Sequence, residues 1–410
     1  MIVALFFIGS VINYLDRAVL GVVMPQVRKD LSLSNSDYSL AVNAFLVPYM
    51  VFYVLGGRVA DRFGYRRTFT VSVIFWSIAN MLHGMVRGLG SLCFFRALLG
   101  IGEGGYYPTA MRGLSEWFAP ENRAKAVGLL ICGVSVGSLV TPPLVAWITI
   151  QFGWRASFVF TGALGFLLVL VWLYLHRVIR RTFGDVDLST PETKASQNEA
   201  VDEKPMPLPE VLKRRKYWFL LMARAVTDAA WFFYVFWMPG YFQVIRGFSL
   251  IEVGRWLWIP FFFADIGALV GAWASSALIQ RGYGLDPSRK IVLVVSALLG
   301  LFGIGTYYVL DQALAIAFIS LALFGHFSWA SNIHTVITEV IPRQHVAVLY
   351  GITGAVGTGL GVISQYFVGQ IVDLKGYEIP FICASAAYVL AIVLVVFAGK
   401  IEPMRVQQSR

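Results

Sequence analysis

Two charged side chains interrupt an apolar run in the segment FFRALLGIGEGGYYP. Arg96 and Glu103 are seven residues apart, so a helix would place them on one face, two turns and roughly 10 Å apart. A charge at the centre of a bilayer costs at least roughly 2.5–3.5 kcal/mol, so if this helix crosses a membrane the pair should face a partner or a water-filled cavity. A structural ion pair, or an arginine that extends to the membrane surface, is the alternative interpretation.

A second charged set lies near the start of the chain, in the segment NYLDRAVLG. Asn13 and Arg17 are one turn apart on one helix face, with Asp16 about 100° away. A guanidinium group binds a carboxylate bidentately and stays charged at any working pH, which suits Arg17 and Arg96 to an anionic ligand. A carboxyl group in a medium of low dielectric constant can exchange a proton near neutral pH, which suits Asp16 and Glu103 to proton transfer. The four side chains together predict a proton-coupled anion carrier.

The elements that must position these residues are membrane-spanning helices. Of the 410 residues, 58% are hydrophobic and only 14% are charged, and the mean hydropathy is +0.69. Apolar stretches of about 20 residues match the length that a helix needs to cross the hydrocarbon core. We therefore predict an all-α integral membrane protein with twelve transmembrane helices, at approximately 2–25, 38–60, 68–88, 91–117, 124–149, 155–176, 217–244, 250–280, 289–309, 312–340, 346–372 and 378–399.

The formal net charge of +10 could suggest a nucleic-acid partner, but its distribution argues against one. Basic residues are concentrated in the loops that follow even-numbered spans and are few in the opposite loops. By the positive-inside rule, this asymmetry predicts that both termini are cytoplasmic. The chain contains no N-x-[ST] sequence, which agrees with a bacterial inner membrane.

A polar, proline-containing and charged segment divides the predicted spans into six and six. The two halves share landmarks at one offset of 223, such as Glu116 with Glu339 and Gly153 with Gly376 (339 − 116 and 376 − 153). A six-helix unit repeated in the same orientation is the parallel-repeat architecture of the major facilitator fold. The predicted organisation is an N-terminal six-helix bundle at 1–176, a cytoplasmic linker at 177–215, a C-terminal six-helix bundle at 216–400 and a cytoplasmic tail at 401–410.

The segment GGRVADRFGYRR follows the second span. Its glycines permit close helix packing and a tight turn, and Asp61 with Arg66 can form an ion-pair latch that breaks when the cytoplasmic side opens. The corresponding segment of the second half has Ser275 and Ser276 near the position of the acid, so a latch is not expected there. The first segment resembles the cytoplasmic signature of the major facilitator superfamily, G-x-x-x-D-[RK]-x-G-x-[RK]-[RK], at Gly57, Asp61, Arg62, Gly64, Arg66 and Arg67.

Over nearly its whole length the chain resembles the anion:cation symporter family of that superfamily. The segments that carry the resemblance are NYLDR, the run around Arg96 and Glu103, EWFAPENRAKAVG and GWRASF. Members of the family couple the uptake of organic anions to protons. The resemblance implies that Arg17 and Arg96 serve the substrate and that Asp16 and Glu103 are the protonation sites.

Within the family the chain is most similar to the hexuronate branch, on the segments TDAAWFFYVFWMPGYF and HFSWASN. This resemblance implies a sugar acid, either a hexuronate or an aldonate, as substrate. His326 aligns with Glu103 at the same offset of 223 (326 − 103) and is a candidate proton or substrate contact. The alternative for every aromatic or polar residue of this set is helix packing. The implied walls of the site are Tyr14, Tyr49, Trp231, Tyr234, His326, Trp329, Asn332 and Thr358.

Other classes of protein receive less support. Neither a nucleotide-binding G-x-x-x-x-G-K-[ST] nor a metal-binding H-E-x-x-H occurs, so we expect no cofactor, metal, catalytic residue or enzymatic activity. The expected partners are a small organic anion, protons and the lipid bilayer, and we expect a monomer. Two alternatives stay open: a symporter or antiporter of an organic phosphate, a glutamate-like anion or a dicarboxylate, and a transporter-like nutrient receptor. The fifth span has the segment GVSVG, whose G-x-x-x-G spacing predicts close helix packing.

Overall fold

The computed structural model of the protein describes residues 2–118, 120–183, 207–342 and 345–404. Within these ranges all regular structure is helical, which confirms the predicted all-α class. Ten of the described helical segments are long and apolar enough to cross a membrane. The chain divides into two compact units, the first formed by Met1–Leu33 and Leu40–Asp202 and the second by Ser34–Ser39 and Glu203–Arg410.

The first unit is built from long apolar helices that end at glycines or at polar turns. Gly64, between the second and third helices, has a φ of +79°, a conformation that glycine adopts at little cost. The predicted tight turn at this position is therefore confirmed. The helices are α1 (Ile2–Leu31), α2 (Asn35–Phe63), α3 (Tyr65–Leu82), α4 (Leu89–Gly104), α5 (Tyr106–Trp117), α6 (Pro120–Phe152) and α7 (Trp154–Phe183). The first residues of α2, up to Ser39, are grouped with the second unit.

The second unit contains helices that agree with the predicted spans of the second half to within a few residues at their ends. Side-chain caps fix two of the helix starts: Ser249 accepts from the Glu252 backbone N–H, and Asp311 accepts from the Leu314 N–H. The helices are α8 (Leu208–Lys213), α9 (Arg215–Val244), α10 (Leu250–Trp256), α11 (Trp258–Gln280), α12 (Leu285–Gly300), α13 (Phe302–Tyr308), α14 (Gln312–Val340), α15 (Val346–Lys375) and α16 (Glu378–Phe397).

Two of the twelve predicted spans differ from the ten apolar helical segments of the described chain. The span predicted at 68–88 corresponds to α3, whose polar and basic residues lower its mean hydropathy. The span predicted at 91–117 is divided at Gly105 into α4 and α5. At that break the backbone of Gly105 lies so near Gly56 that a Cβ on Gly56 would be 2.6 Å from the Gly105 Cα. The break therefore coincides with a close backbone contact between α2 and the connection from α4 to α5.

The internal repeat is visible in the backbone. Gly153 and Gly376, which the offset of 223 pairs, each directly follow the last residue of a helix and have positive φ, at +83° and +73°. Phe158 and Phe381, paired by the same offset (381 − 158), are both completely buried. Positions that the offset pairs therefore share a backbone conformation or a degree of burial in the two units, as expected for a duplicated bundle.

Glycines bring two pairs of helices in the first unit close together, α2 with α4 and α1 with α6. A side chain on Gly100 of α4 would collide with the Phe45 carbonyl oxygen of α2, so these two backbones are in direct contact. On α6, a Cβ at Gly137 would lie 2.7 Å from the Val11 carbonyl oxygen and 2.9 Å from Tyr14 Cβ of α1. The close packing predicted from the GVSVG segment is thereby confirmed, and it holds α1 against α6.

The predicted linker at 177–215 lies partly outside the described residues. Residues 177–183 continue α7, residues 208–213 form α8, and residues 184–206 are not described. Of the predicted tail at 401–410, only residues 401–404 are described.

Candidate functional site

The charged residues of α1 and α4 meet as an ion pair inside the first unit. The Arg17 Nη2 donates to Glu103 Oε2 at 3.1 Å, and its Nε donates to the same oxygen at 3.3 Å. The two side chains are 6% and 0% exposed, so the pair is almost entirely removed from solvent. Separating such a pair without a replacement partner leaves an uncompensated buried charge and is strongly unfavourable.

Aromatic rings surround the Arg17 guanidinium. Its Cζ lies 4.8 Å from the ring centroid of Tyr14, 5.2 Å from that of Phe45 and 4.4 Å from that of Tyr49. Ring faces stabilise a cation that has lost its water, so these contacts offset part of the cost of burying Arg17. Of the predicted site residues, Tyr14 and Tyr49 therefore lie beside Arg17.

Asn13 also contacts Arg17, as the four-residue spacing predicted. The Arg17 Nη2 donates to Asn13 Oδ1 at 3.4 Å. Among the described residues, no hydrogen-bond partner reaches Asn13 Nδ2 or Glu103 Oε1, although both atoms are buried. Buried polar atoms are nearly always paired in native proteins, so these two are candidates for contacts to a ligand.

Arg96 is completely buried and lies next to the same pair. Its Cζ is 4.5 Å from the ring centroid of Phe45, the ring that Arg17 also approaches. Both guanidinium groups are close enough to act electrostatically on Glu103. The Glu103 carboxylate thus lies near two cations and one further acid, Asp16. A proton on Glu103 would leave this cluster positive and able to hold an anion.

Asp16 lies on a different side of α1, as its angular position predicted. Its Oδ1 accepts a hydrogen bond of 2.7 Å from Asn80 Nδ2 of α3. Asn80 also donates to Thr161 Oγ1 of α7 at 2.8 Å. Asp16 therefore joins three helices in the interior of the unit, and Arg17 turns towards Glu103. The interhelical role of Asn80 was not predicted from the sequence.

In the second unit the structure brings together two of the predicted residues. The rings of Trp231 on α9 and His326 on α14 are stacked, with centroids 5.3 Å apart and planes inclined by 6°. His326 Nδ1 shares a hydrogen bond of 2.8 Å with the Tyr388 hydroxyl of α16. All three side chains are buried, so this row is available to a ligand only if the surrounding helices move.

The other predicted residues of the second unit take part in helix packing in this structure. Tyr234 and Trp329 are completely buried. The Thr358 hydroxyl donates to the Gly354 carbonyl oxygen of its own helix at 3.0 Å. Asn332 donates to the Ser328 carbonyl oxygen at 2.9 Å.

Comparison with known proteins places this geometry in a family. The profile of the Major Facilitator Superfamily matches residues 6–364. The chain belongs to the major facilitator superfamily. It is 27% identical over 404 residues to the hexuronate transporter of Escherichia coli (strain K12), covering 96% of this chain and 92% of that protein. It is 30% identical over 312 residues to the galacturonate transporter of Dickeya chrysanthemi, covering 74% of this chain and 89% of that protein.

Solved structures agree in fold. An inward-facing, occupied bacterial homologue of the human lysosomal transporter Spinster superposes on the chain with a TM-score of 0.73 at 19% identity. The match covers 97% of this chain and 94% of that one. The family match and the ten apolar helical segments of the described chain together show an integral, multi-pass membrane protein, as predicted.

The signature segment of this superfamily member uses a different ion pair from the one we expected. Asp61 accepts from Arg112 Nη1 of α5, and the Arg112 Nε also donates to Glu116 at 2.7 Å. The Arg66 Nε instead donates to the Tyr65 hydroxyl at 3.1 Å. The expected pairing of Asp61 with Arg66 is therefore replaced, because α5 brings a guanidinium directly to the acid.

The second unit contains a cluster of charged and polar side chains around Arg289, at a place where we expected no latch. The Arg289 guanidinium donates to both carboxylate oxygens of Glu339, at 2.5 Å and 3.2 Å. It also donates to Ser275 Oγ at 2.6 Å and contacts Asn332 Oδ1 at 3.4 Å. Glu339 of α14 therefore supplies the acid that the segment around Ser275 and Ser276 lacks. The pairing of Glu116 with Glu339 by the repeat offset was the sequence signal for this cluster.

Proposed function

We propose that the protein is a proton-coupled symporter that moves a sugar acid, either a hexuronate or an aldonate, by alternating access. The observation that carries this proposal is the ion pair of Arg17 with Glu103, sealed from solvent and adjacent to a second cation at Arg96. Relatives named as hexuronate and galacturonate transporters support the substrate class.

The coupling follows from competition for one guanidinium group. In the present arrangement Arg17 holds the Glu103 carboxylate through two N–H groups. A proton that binds Glu103 removes its negative charge and weakens this contact. The substrate carboxylate then takes the same N–H groups, in the bidentate geometry that guanidinium favours.

Charge balance sets the number of protons. Before binding, the buried cluster of Arg17, Arg96, Asp16 and Glu103 carries a net charge of zero, with two guanidinium groups and two carboxylates. After one proton and one monoanion have entered, Arg17 is balanced by the substrate and Glu103 is neutral. The net charge is again zero, so a desolvated site can form in both states without an uncompensated charge. We therefore propose one proton for each substrate carboxylate.

The other predicted residues have supporting parts in this proposal. Asn13 and Glu103 offer the unpaired buried atoms to the ligand, and Tyr14 and Tyr49 supply ring faces on which a sugar can rest. Asp16 remains a predicted second proton site, fixed by its contact with Asn80. Because the Glu103 side chain is inaccessible here, proton exchange requires the helices to separate.

We further propose that the signature segment is a cytoplasmic latch, in which Asp61 and its neighbours break their contacts during transport. This latch implies cytoplasmic termini, in agreement with the distribution of basic residues, and a bacterial inner membrane. Its residues are Gly57, Asp61, Arg62, Gly64, Arg66 and Arg67, together with Arg112.

Transport into proteoliposomes tests the proposal. With an inward proton gradient, the wild type should accumulate D-galacturonate, and Glu103→Gln should lose accumulation but retain exchange of labelled for unlabelled substrate. Glu402→Gln, at an exposed carboxylate near the C-terminus, is the matched control. Accumulation by Glu103→Gln at the wild-type level would remove Glu103 from proton coupling, and failure of the wild type to take up any uronate or aldonate would refute the substrate class.

A further inference from the structure

A partly buried arginine and acid occupy α9 in the second unit, outside the residues considered above. Arg224 and Asp228 are one turn apart, and the Arg224 Nε lies 3.3 Å from Asp228 Oδ2. Their side chains are 11% and 24% exposed, so the pair is largely desolvated but still accessible to a small ligand. Two ionisable groups at this depth in a membrane protein mark a candidate functional site.

The facing helix α15 is shaped around this pair. Thr353 Oγ1 accepts from the Arg224 Nη1 at 2.6 Å, and the Tyr350 ring centroid lies 4.8 Å from the Arg224 Cζ. A side chain on Gly357 would collide with Asp228 Oδ2, so glycine at this position leaves room for the carboxylate. The guanidinium is thereby held in a fixed orientation, as a binding site requires.

Open space adjoins the pair on the same helix. A Cβ on Gly354 would meet only the Arg224 Nη2, at 3.7 Å, which is an ordinary contact distance. Asp228 has a carboxylate with more acceptor sites than the single contact to Arg224 uses. The ring of His334 on α14 packs edge-on against that of Tyr350, with the ring centroids 5.8 Å apart.

We infer that Arg224 and Asp228, within the second unit, bind hydroxyl groups of a sugar acid, an inference that rests on the proposed function. The two side chains together have no net charge, so they lack the excess positive charge that a carboxylate needs. A hydroxyl group is both donor and acceptor, and it can donate to Asp228 while accepting from Arg224. A second carboxylate on the ligand would be repelled by Asp228, so the site selects sugar acids with one carboxylate over those with two.

The ratio of two affinities tests this inference. Dissociation constants of D-galactonate, which has one carboxylate, and galactarate, which has two, are measured with the purified protein. The wild type should bind D-galactonate at least tenfold more tightly. Asp228→Asn removes the repulsion and leaves Arg224 positive, so the ratio should shift at least tenfold towards galactarate. A pair with a purely structural role would weaken both ligands by the same factor, and an unchanged ratio would overturn the inference.

A double variant separates binding from folding. Arg224→Gln with Asp228→Asn keeps a hydrogen-bonded pair without buried charge, so thermal stability should stay near that of the wild type. Its affinity for D-galactonate should fall about tenfold, because charge-assisted hydrogen bonds are replaced by neutral ones. Wild-type affinity in a stable double variant would also overturn the inference.

Filling the open space gives a measurement that does not touch the charges. Gly354→Val should weaken D-galactonate binding at least tenfold with little loss of stability, whereas Gly128→Val, at an open position on α6, should not. Unchanged binding in Gly354→Val counts against the site. If the wild type binds neither ligand, the proposed function fails as well, whereas binding that is insensitive to all three changes refutes only this inference.

Discussion

Replacement of Glu103 by Gln should remove the pH dependence of substrate affinity. In the structure the ionised carboxylate of Glu103 occupies two N–H groups of Arg17, at 3.1 Å and 3.3 Å. A substrate carboxylate that uses the same groups can bind only if Glu103 takes up a proton. Substrate binding is therefore linked to the binding of one proton, and by reciprocity the proton concentration controls substrate affinity.

The magnitude follows from this one-to-one linkage. Where Glu103 is ionised, each unit of rising pH should raise the dissociation constant tenfold, which corresponds to about 1.4 kcal/mol of binding free energy. Where Glu103 is already protonated, affinity should not depend on pH. Glutamine cannot ionise and has a similar shape, so Glu103→Gln should keep the affinity that the wild type reaches at low pH.

The assay is the dissociation constant of D-galacturonate, measured by calorimetry on purified protein from about pH 5 to about pH 8. The sugar carboxylate is ionised throughout this range, so the slope reports on the protein. Glu402→Gln, whose side chain is 53% exposed, should retain the wild-type slope. A Glu103→Gln variant with the wild-type slope, or a wild type without pH dependence, would refute the reasoning.

Three further changes have defined outcomes. Arg17→Lys should weaken D-galacturonate binding by roughly 10- to 100-fold, because an ammonium group cannot reproduce the guanidinium fork; wild-type affinity in calorimetry would exclude Arg17 as the anchor. Gly100→Ala should destabilise the protein by about 1–3 kcal/mol, since the new Cβ collides with the Phe45 carbonyl oxygen; an unchanged melting temperature would contradict this close contact. Asn80→Ala should cost about 1–3 kcal/mol, because Asp16 loses its hydrogen-bond donor; Asp16→Asn in the same background should recover part of the loss in thermal denaturation, and no recovery would argue against the pairing.

Much of the fold is predictable from the sequence because it depends on local properties. Runs of apolar residues specify membrane-spanning helices wherever they occur, and the polar segment between the sixth and seventh runs separates two halves. The repeat could be recognised from landmarks such as Gly153 and Gly376, whose positive φ is a local backbone property. The division of one span at Gly105 was not predicted, and it coincides with a close approach of Gly56 from another helix, which the local sequence does not reveal.

The charged pair on α9 has a signal in the sequence as well. Arg224 and Asp228 interrupt an apolar run four residues apart, the same kind of signal that identified Arg96 and Glu103. Their spacing could have marked them as candidates. Their partners, Thr353 and the glycine face of α15, lie more than 120 residues further along the chain (353 − 228) and could not be assigned without the packing.

The sequence by itself determined that charged residues lie inside apolar helices and on which face of its own helix each one sits, because the helical period fixes both. The tertiary structure decided which groups meet across helices. Glu103 pairs with Arg17 of α1, and Asp16 pairs with Asn80 of α3. These pairings depend on distances between helices, which close backbone contacts at glycines set for the whole bundle and which no single segment encodes.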